Sequence, residues 1–172
     1  RLVVKRMRRG GLAASPWRDR FAGTARLLRN LSVPIEARRR GVPTAAPAAL
    51  LMEQGPPGLY RGWLATDEIL GAEDLLTRWA GTRPPGESEV AEVLRTVRRM
   101  HDAGVEHRDL NLGNLLLRSR EDGTPEAFVV DLDAARLRDG PLPVGKRRAA
   151  LRRMERSYLK RFGERGPLAA PR

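Results

Sequence analysis

The chain has 172 residues, a hydrophobic fraction of 41% and a formal net charge of +12, which fit one compact domain with its own core and exclude a disordered chain. It contains no cysteine and two histidines, so disulfides, thiolate metal sites and histidine-built metal sites are excluded. No apolar run is long enough to span a bilayer or to form a signal peptide, which favours a cytoplasmic protein.

The positive charge has two interpretations. All but three of the 33 basic residues are arginine, and with abundant Ala, Gly and Pro this bias is what genomic base composition produces through codon usage. The second interpretation is a phosphate-rich partner, such as an anionic membrane surface, nucleic acid or a phosphorylated substrate. Nucleic acid is disfavoured, because no nucleic-acid-binding motif is present and aromatic residues are only 5% of the chain.

The first half of the chain is predicted to contain short strands and helices. In chain order, these are a strand over residues 1–7, a break at Gly10-Gly11, a helix over 17–31, a short helix over 34–40, and strands over 48–53 and 63–69. The residues between the last two strands are rich in glycine and proline, a composition typical of a turn.

The second half is predicted to be mostly helical. In chain order, it contains a loop over residues 81–88, a helix over 89–103 capped by Ser88 and ended by Gly104, strands over 115–118 and 127–131, and a basic helix over 146–162. The helix over 89–103 carries one apolar stripe, which predicts a buried face. Strands first and helices later indicate an α+β fold with a break near residues 70–73.

The most informative segments are residues 107–114, His-Arg-Asp-Leu-Asn-Leu-Gly-Asn, and residues 129–133, Val-Val-Asp-Leu-Asp. Phosphoryl transfer needs an acceptor for the proton of the attacking hydroxyl and a divalent metal to offset the charge of the phosphates. An Asp five residues before an Asn, followed after a hairpin by an Asp behind an apolar strand, is the protein-kinase signature. The two segments therefore predict a phosphotransferase site.

Each of these residues has an expected role. Asp109 would accept or orient the proton of the acceptor hydroxyl. Asn114 and Asp131 would hold Mg²⁺ through hard oxygen ligands, and His107 would be structural. Asp and Asn are also common in turns, where they bond the local backbone. That alternative would have to explain the apolar helix and both strands around the site as well, so we favour the catalytic interpretation.

Residues 100–117 resemble the catalytic loop of the lipopolysaccharide kinase (Kdo and heptose kinase) family. Residues 130–137 are similar to that family's metal-binding segment, in which Asp133 stands where protein kinases have Gly. Residues 8–12 and 151–160 agree with the family as well. The resemblance implies ATP-dependent phosphorylation of a sugar in the lipid A–core region, with Kdo favoured over heptose. It also implies a place at the cytoplasmic face of the inner membrane of a Gram-negative bacterium.

The resemblance further implies a protein-kinase-like two-lobed fold. Residues 1–70 would form part of the N-lobe, from its third strand to the hinge, and residues 71–172 a short, mostly helical C-lobe. The Gly-rich loop that covers the phosphates should precede Lys5, where only four residues stand. We therefore expect a truncated N-lobe and a longer gene product.

The nucleotide site is predicted from position along the chain. Lys5 ends a β-branched strand, as the lysine that contacts the α- and β-phosphates does in kinases. Glu36 is the candidate partner of Lys5, although an acid two residues after Pro34 also suits the first turn of a helix by itself. Glu68 and Leu70 lie where the hinge would bind adenine through backbone groups, and the alternative for this segment is an ordinary strand end.

Three further features leave alternatives open. Asp133 is either a third carboxylate of the metal site or a turn residue tied to Arg136. Arg108 is interpreted as a packing residue, with contact to a substrate phosphate as the alternative, because residues 134–145 contain no Ser, Thr or Tyr to phosphorylate. The basic helix over 146–162 either packs with a solvated basic face or docks onto anionic lipid.

The function predicted from these observations is an ATP- and Mg²⁺-dependent kinase acting on a hydroxyl of a lipopolysaccharide inner-core sugar, with the lipid A–core precursor as the acceptor. The catalytic residues alone do not identify the acceptor. Another small-molecule kinase or an atypical protein kinase of the same fold is therefore an alternative. A kinase-like binding module without catalytic activity is a third.

Overall fold

The computed structural model describes residues 1–8 and 19–163, and this part of the chain forms an α+β fold. Its strands are β1 (Leu2–Arg6), β2 (Phe21–Ala22), β3 (Pro47–Gln54), β4 (Leu59–Asp67), β5 (Glu73–Asp74), β6 (Val105–Glu106), β7 (Leu115–Ser119), β8 (Pro125–Val129) and β9 (Arg136–Leu137). Its α-helices are α1 (Ala25–Arg39), α2 (Leu75–Ala80), α3 (Glu87–Asp102) and α4 (Val144–Phe162). Short 3₁₀ helices lie at Leu112–Asn114 and Leu132–Ala134.

The first sheet is built around β4. Strand β3 pairs with one edge of β4, and β1 and β2 pair with β4 as well, all antiparallel. The hairpin of β3 and β4 confirms the two predicted strands, although β4 begins four residues earlier than predicted and ends at Asp67. The register places Lys5 opposite Leu64, so Lys5 is held by a ladder of backbone hydrogen bonds.

Helix α1 corrects the prediction of two helices over 17–31 and 34–40. The described residues before Ala25 include strand β2, and one helix then continues to Arg39 with Pro34 in its interior. Proline lacks the amide that would bond the carbonyl of Asn30, which normally disfavours this position. Pro34 is buried together with Leu27, Asn30, Val33 and Ala37, so burial of this face outweighs the lost bond. Residues 17 and 18 and Gly10-Gly11 lie outside the described residues.

Two groups of buried side chains hold the fold together. The smaller group, Met7, Phe21 and Leu27, lies between the first sheet and α1. The larger group joins the C-terminal half of α1 with α2, α3, α4 and the second sheet. Leu115 and Met154 are among its fully buried members. The segment that carries the predicted catalytic residues therefore rests on the larger core.

Helix α3 presents the predicted stripe to this core, with Val93, Val97 and Met100 almost fully buried. The helix begins two residues earlier than expected. The carboxylate of Glu89 accepts a hydrogen bond from the amide of Gly86 at 2.9 Å, so this pair caps the helix instead of Ser88.

Gly104 ends α3 as predicted and turns the chain toward the catalytic loop. Its φ of +76° and the carbonyl oxygen of Gly140, which lies 2.5 Å from where a Cβ would be, leave room for glycine alone. The carbonyl of Gly104 accepts a hydrogen bond from the amide of Arg138 at 3.0 Å. Gly104 therefore ties the start of the catalytic loop to the segment after β9.

The second sheet has the order β5-β7-β8, and its hairpin of β7 and β8 was predicted. The register places Leu115 opposite Val129, and the amide of Val130 donates to the carbonyl of Asn114 at 3.0 Å. These bonds bring Asn114 beside the residue that precedes Asp131. The hairpin thus brings together Asn114 and Asp131, two predicted site residues that lie on either side of it in the sequence.

Helix α4 packs its inner side on the larger core through Ala150 and Met154. The ring of Tyr158 meets that of Trp79 edge to face, with centroids 5.1 Å apart. Within residues 1–8 and 19–163, no helix combines the length and the apolarity needed to cross a bilayer.

Candidate active site

His107 connects the catalytic loop to the segment that carries Asp131. Its ring is buried, its Nε2 lies 3.0 Å from the carbonyl oxygen of Val130, and its Nδ1 accepts from the amide of Asp109 at 3.2 Å. Since Nδ1 accepts, Nε2 carries the proton in this network. Burial lowers the pKa of His107 despite the carbonyl and the nearby carboxylates. The imidazole is therefore a neutral structural link, the role expected for it.

The loop after His107 is closed by side-chain amides. The carbonyl of Asp109 accepts from Asn114 Nδ2 at 2.8 Å and from Asn111 Nδ2 at 3.0 Å, and the amide of Gly113 donates to Asn111 Oδ1 at 2.9 Å. The bond from Nδ2 turns the side-chain oxygen of Asn114 away from Asp109. Asp109 itself is exposed, as a group that meets an incoming acceptor must be.

Asp131 has an unusual backbone conformation. It adopts a left-handed conformation, with φ 61° and ψ 52°, and among the described residues other than glycine it alone has a positive φ. This conformation is rare for residues other than glycine and costs them about 1 kcal/mol or more, although Asp and Asn adopt it more often than most. The Asp131 carboxylate forms an ion pair with Lys5.

Lys5 joins the first sheet to both carboxylates of the 131–133 segment. Its Nζ bonds Asp131 and lies 3.4 Å from Asp133 Oδ2. Burial alone would lower the pKa of Lys5, but the two carboxylates outweigh it and the pKa lies above the usual value. Burial raises the pKa of Asp133 above its usual value despite the attraction of Lys5. Asp133 therefore contacts Lys5, and it forms no ion pair with Arg136 within the described residues.

A cavity of about 250 Å³ opens beside this ion pair. Its floor and roof are apolar, with Val3 and Leu64 from the first sheet facing Leu116 of β7 and Val130, which follows β8. Its polar end is formed by Lys5 and the two carboxylates. A flat apolar slot with charged groups at one end can hold an aromatic base and its phosphates.

The far end of this cavity, henceforth the first cavity, is formed by Asp67 and Ile69. The predicted hinge residues Glu68 and Leu70 do not line it. The amide of Glu68 donates to the carbonyl of Arg1 at 3.0 Å, and Leu70 is exposed. Asp67 and Ile69, each one residue before a predicted hinge residue, line this end instead.

The predicted pair between Lys5 and Glu36 is not formed. Glu36 Oε1 accepts from Arg40 Nε at 2.9 Å, one turn further along α1, and Lys5 pairs with Asp131 and Asp133 instead. The buried face of α1 includes Pro34 and Ala37, which turns Glu36 away from the first cavity. The direction of Glu36 follows from its place in one helix that continues through Pro34. The prediction of a separate helix from Pro34 onward did not include this constraint.

A second cavity, of about 270 Å³, lies on the other side of Asp133. Arg108 lines this second cavity and is exposed, so the interpretation of Arg108 as a packing residue is wrong. Arg26, Arg29 and Asn30 of α1 and Arg136 of β9 complete most of the wall. Sequence reasoning identified none of these four as site residues, because they lie in two segments that only the fold brings together.

The described residues fit a magnesium ion held jointly with a nucleotide. Among them, no three His, Cys, Asp or Glu side chains are grouped closely enough to form a metal site alone. Mg²⁺ commonly takes one or two protein oxygens and completes its shell with water and phosphate oxygens. Asp131 lines the first cavity, and Asn114 is tied to Val130 beside it, so the donor set is of the required kind.

Comparison with known proteins identifies the class. The model of the lipopolysaccharide kinase (Kdo/WaaP) family matches residues 1–166. The chain therefore belongs to this family, and the resemblance noted in its catalytic loop is confirmed.

Among curated relatives, a 3-deoxy-D-manno-octulosonic acid kinase of Xylella fastidiosa (strain M12) is 31% identical over 169 residues. The protein of the same name from Stenotrophomonas maltophilia (strain R551-3) is 32% identical over 171 residues. Each alignment covers 95% of this chain and 64% of the relative. The chain thus spans somewhat less than two thirds of the length of these relatives.

Solved structures confirm the kinase-like fold. The structure "WaaP in complex with acyl carrier protein" matches with a TM-score of 0.59 and 25% identity, covering 84% of this chain and 62% of that one. The Rio2 kinase from Chaetomium thermophilum matches with a TM-score of 0.59 and 19% identity, covering 99% of this chain and 52% of that one. The second match supports the fold alone.

Proposed function

We propose that this chain is the catalytic part of an ATP-dependent kinase that phosphorylates a hydroxyl of a lipopolysaccharide inner-core sugar. The acceptor we favour is Kdo, 3-deoxy-D-manno-octulosonic acid, with heptose next. One observation carries the proposal: Lys5 of the first sheet meets Asp131 and Asp133 at the polar end of the first cavity. The relatives named for Kdo phosphorylation support the choice of acceptor.

In this proposal, adenine enters the apolar part of the first cavity between Val3 and Leu116. Its edge meets the backbone at Asp67 and Ile69, and its phosphates extend toward Lys5. The lysine then exchanges its bonds to the carboxylates for bonds to phosphate oxygens. Charge-assisted hydrogen bonds of this kind orient the phosphates and offset part of their charge.

Asp131 and Asn114 are the proposed ligands of Mg²⁺, with Asp133 beside them. When bound, the ion offsets negative charge on the phosphate oxygens. The carboxylate of Asp131 bonds Lys5 at the polar end of the first cavity. The hydrogen bond from Asn114 Nδ2 to the carbonyl of Asp109 leaves the amide oxygen as the ligand atom.

Asp109 is the proposed acceptor of the proton from the attacking hydroxyl. It is exposed at the turn that His107 and Asn114 hold in place. A carboxylate at this position orients the hydroxyl and takes its proton as the bond to phosphorus forms. The proposal therefore separates Asp109, which acts on the acceptor, from Asp131, which acts on the phosphates.

Helix α4 is proposed to dock onto an anionic membrane surface. Lys146 bonds Glu106 at 2.8 Å and Arg147 bonds Asp102 at 2.5 Å, so the start of the helix is fixed to the protein. Further along, exposed basic residues recur every four positions, at Arg148, Arg152, Arg156 and Lys160. A row of cations at this spacing lies along one side of a helix and attracts anionic lipid.

Vesicle binding tests this docking. The full-length protein should bind vesicles of anionic lipid more tightly than neutral ones, and added salt should weaken the binding. Replacing Arg152 and Arg156 with Glu should abolish the preference. Equal, salt-insensitive binding to both kinds of vesicle would contradict the proposal and leave α4 as a packed helix with a solvated face.

The proposed activity is tested with an acceptor panel. Full-length protein, ATP and Mg²⁺ are incubated with a Kdo-containing lipid A precursor, a heptosylated core, an aminoglycoside or a generic protein, and the phosphorylated product is identified by mass spectrometry. The proposal predicts transfer to the Kdo-containing acceptor. Transfer to the aminoglycoside or to protein alone would assign the chain to another class of kinase. No transfer to any of them would favour a binding module.

A further inference from the structure

The second cavity has an unusual charge distribution. Four guanidinium groups line it, those of Arg26, Arg29, Arg108 and Arg136, against the single carboxylate of Asp133. Within residues 1–8 and 19–163 none of the four forms an ion pair, and Asp133 pairs with Lys5 at 3.4 Å. The guanidinium of Arg26 does lie over the ring of Phe21, 5.6 Å from its centroid.

Some other arginines have carboxylate partners, and Arg78, Arg118 and Arg147 each bond one at 2.5–2.7 Å. Isolated exposed arginines often form no ion pair, so the informative feature is that four of them line one cavity. Four positive charges around one cavity repel one another, and a bound anion relieves that repulsion. The arrangement therefore predicts an anionic ligand.

Nearby carboxylates do not balance this positive charge. Asp133 lines the second cavity but pairs with Lys5. Glu106, opposite Arg136 in the register of β6 and β9, pairs with Lys146.

The segment from Ala134 to Gly145 contains no Ser, Thr or Tyr that could be phosphorylated. Its one acid, Asp139, is exposed and forms no ion pair in the described part of the protein. A bound anion would balance the remaining positive charge.

Asn30 adds a second kind of contact. The residue is only 4% exposed, and its buried Oδ1 has no hydrogen-bond partner. A buried acceptor without a partner is costly, and a ligand hydroxyl would supply the missing donor. A molecule that carries both an anionic group and hydroxyls fits this wall.

The second cavity also adjoins the proposed reaction centre. Asp133 lines both cavities, and Arg108 directly precedes Asp109 in the catalytic loop. A ligand held by the arginines therefore lies next to the groups assigned to phosphate transfer. An acceptor needs this position, whereas the nucleotide already has the first cavity.

We propose that the second cavity binds the carboxylate of the acceptor sugar acid, through Arg29 and Arg136 with Arg26 and Arg108 beside them. Asn30 accepts a hydrogen bond from a hydroxyl of the same sugar. This inference rests on the proposed function and extends it from the class of acceptor to the residues that select it. Arginine suits this role because its planar fork bonds both oxygens of a carboxylate.

The test measures acceptor and ATP kinetics in the full-length protein. Arg29→Ala and Arg136→Ala should each raise KM for a Kdo-containing acceptor about tenfold or more, the loss expected for one charged hydrogen bond. KM for ATP should stay within about twofold of wild type, since the arginines do not line the first cavity. Arg39→Ala is the matched control, because Arg39 lies exposed at the other end of α1.

A second acceptor separates recognition from structural damage. An acceptor whose carboxylate has been converted to a carboxamide should bind the wild type about tenfold more weakly, and the Arg136→Ala variant should no longer distinguish the two acceptors. Inorganic phosphate should compete with the carboxylate acceptor and not with ATP. This pattern would support the inference, because a merely structural defect would weaken both acceptors equally.

Three results would overturn the inference, each for a different reason. If the wild type transfers phosphate to the sugar acid and the arginine variants keep its acceptor KM, the assignment of the second cavity is wrong and the proposed function stands. A rise in KM for ATP instead would assign the arginines to the nucleotide. If the wild type transfers no phosphate to the sugar acid, the proposed function fails and this inference fails with it.

Discussion

The two cavities on either side of Asp133 differ in how their positive charge is balanced. In the first, Lys5 is paired with Asp131 and Asp133. In the second, four arginines line the wall without an ion pair among the described residues. A cation that is already paired with a carboxylate must give up that partner when an anionic ligand binds, whereas an unpaired cation gains a partner. The difference suggests a nucleotide for the first cavity and an anionic acceptor for the second.

Removing a carboxylate from the first cavity should have the largest effect on the rate of phosphate transfer. Asp131→Asn keeps the size of the side chain but removes the charge that faces Lys5 and the proposed metal. We expect kcat to fall at least about 100-fold, since a metal ion contributes several kcal/mol to transition-state stabilisation. Steady-state kinetics at several Mg²⁺ concentrations measure this, with Asp139→Asn as the control. Wild-type activity in Asp131→Asn would remove this residue from the site.

Two adjacent leucines of β7 beneath the first cavity allow effects on stability to be separated from effects on ATP binding. Leu115 and Leu116 point to opposite faces of β7, one into the larger core and one into the first cavity. Leu115→Ala should lower the free energy of unfolding by about 3 kcal/mol. Leu116→Ala should cost less stability and raise KM for ATP. Urea unfolding and ATP kinetics check both variants, and equal losses of stability would show that the two faces are not distinct.

Acid should destabilise the protein through His101, a buried base beside further positive charge. Burial, with a smaller contribution from Arg147, lowers the pKa of His101 from 6.5 to about 4. The unfolded chain then binds a proton that the folded one does not, so stability falls as the pH drops from 6.5 toward 4. The loss between pH 7 and pH 5 should be about 2 kcal/mol.

Urea unfolding at several pH values measures this slope. His101→Leu removes the titrating group. The free energy of unfolding should then fall less between pH 7 and pH 5 than in the wild type, whatever the variant's stability at pH 7. An unchanged slope would show that His101 is protonated in the folded protein.

Replacing the lysine of the first cavity should have the smallest effect of these changes. Lys5→Met removes the cation proposed to bond the phosphates and leaves Asp131 and Asp133 without a cation, so KM for ATP should rise about tenfold. Arg6→Met is the matched control, because Arg6 follows Lys5 in β1 but pairs with Asp19. ATP titrations of both variants decide whether Lys5 acts on the nucleotide. An equal rise in both would point to a general loss of β1.

The local part of the site could be predicted from the sequence. Asp109 and Asn114 lie in one short loop, and the hairpin from Leu115 to Val129 brings Asp131 beside them, so their proximity follows from spacing and turn composition. Lys5 could be placed because a β-branched strand precedes it. These residues depend on neighbours along the chain, which a sequence displays directly.

The rest depended on the packing of distant segments. The rotation of α1, which turns Glu36 toward Arg40 and Asn30 into the second cavity, is set by burial of a helix face that continues through Pro34. The second cavity joins α1, the catalytic loop and β9, and no periodicity in the sequence connects these three. At the predicted hinge, Asp67 and Ile69 line the first cavity and Glu68 and Leu70 do not, because the sequence does not show which residues of this segment face inward.

Phosphate transfer to a Kdo-containing acceptor by the full-length protein, compared with its Asp109→Asn variant, tests the proposed function. Asp109 is exposed, so the substitution should leave the unfolding temperature unchanged while removing the group that takes the proton. We expect one phosphoryl group on the acceptor with the wild type and a rate at least about 100-fold lower with the variant. Equal rates in the two proteins, or no transfer by the wild type, would contradict the proposed function.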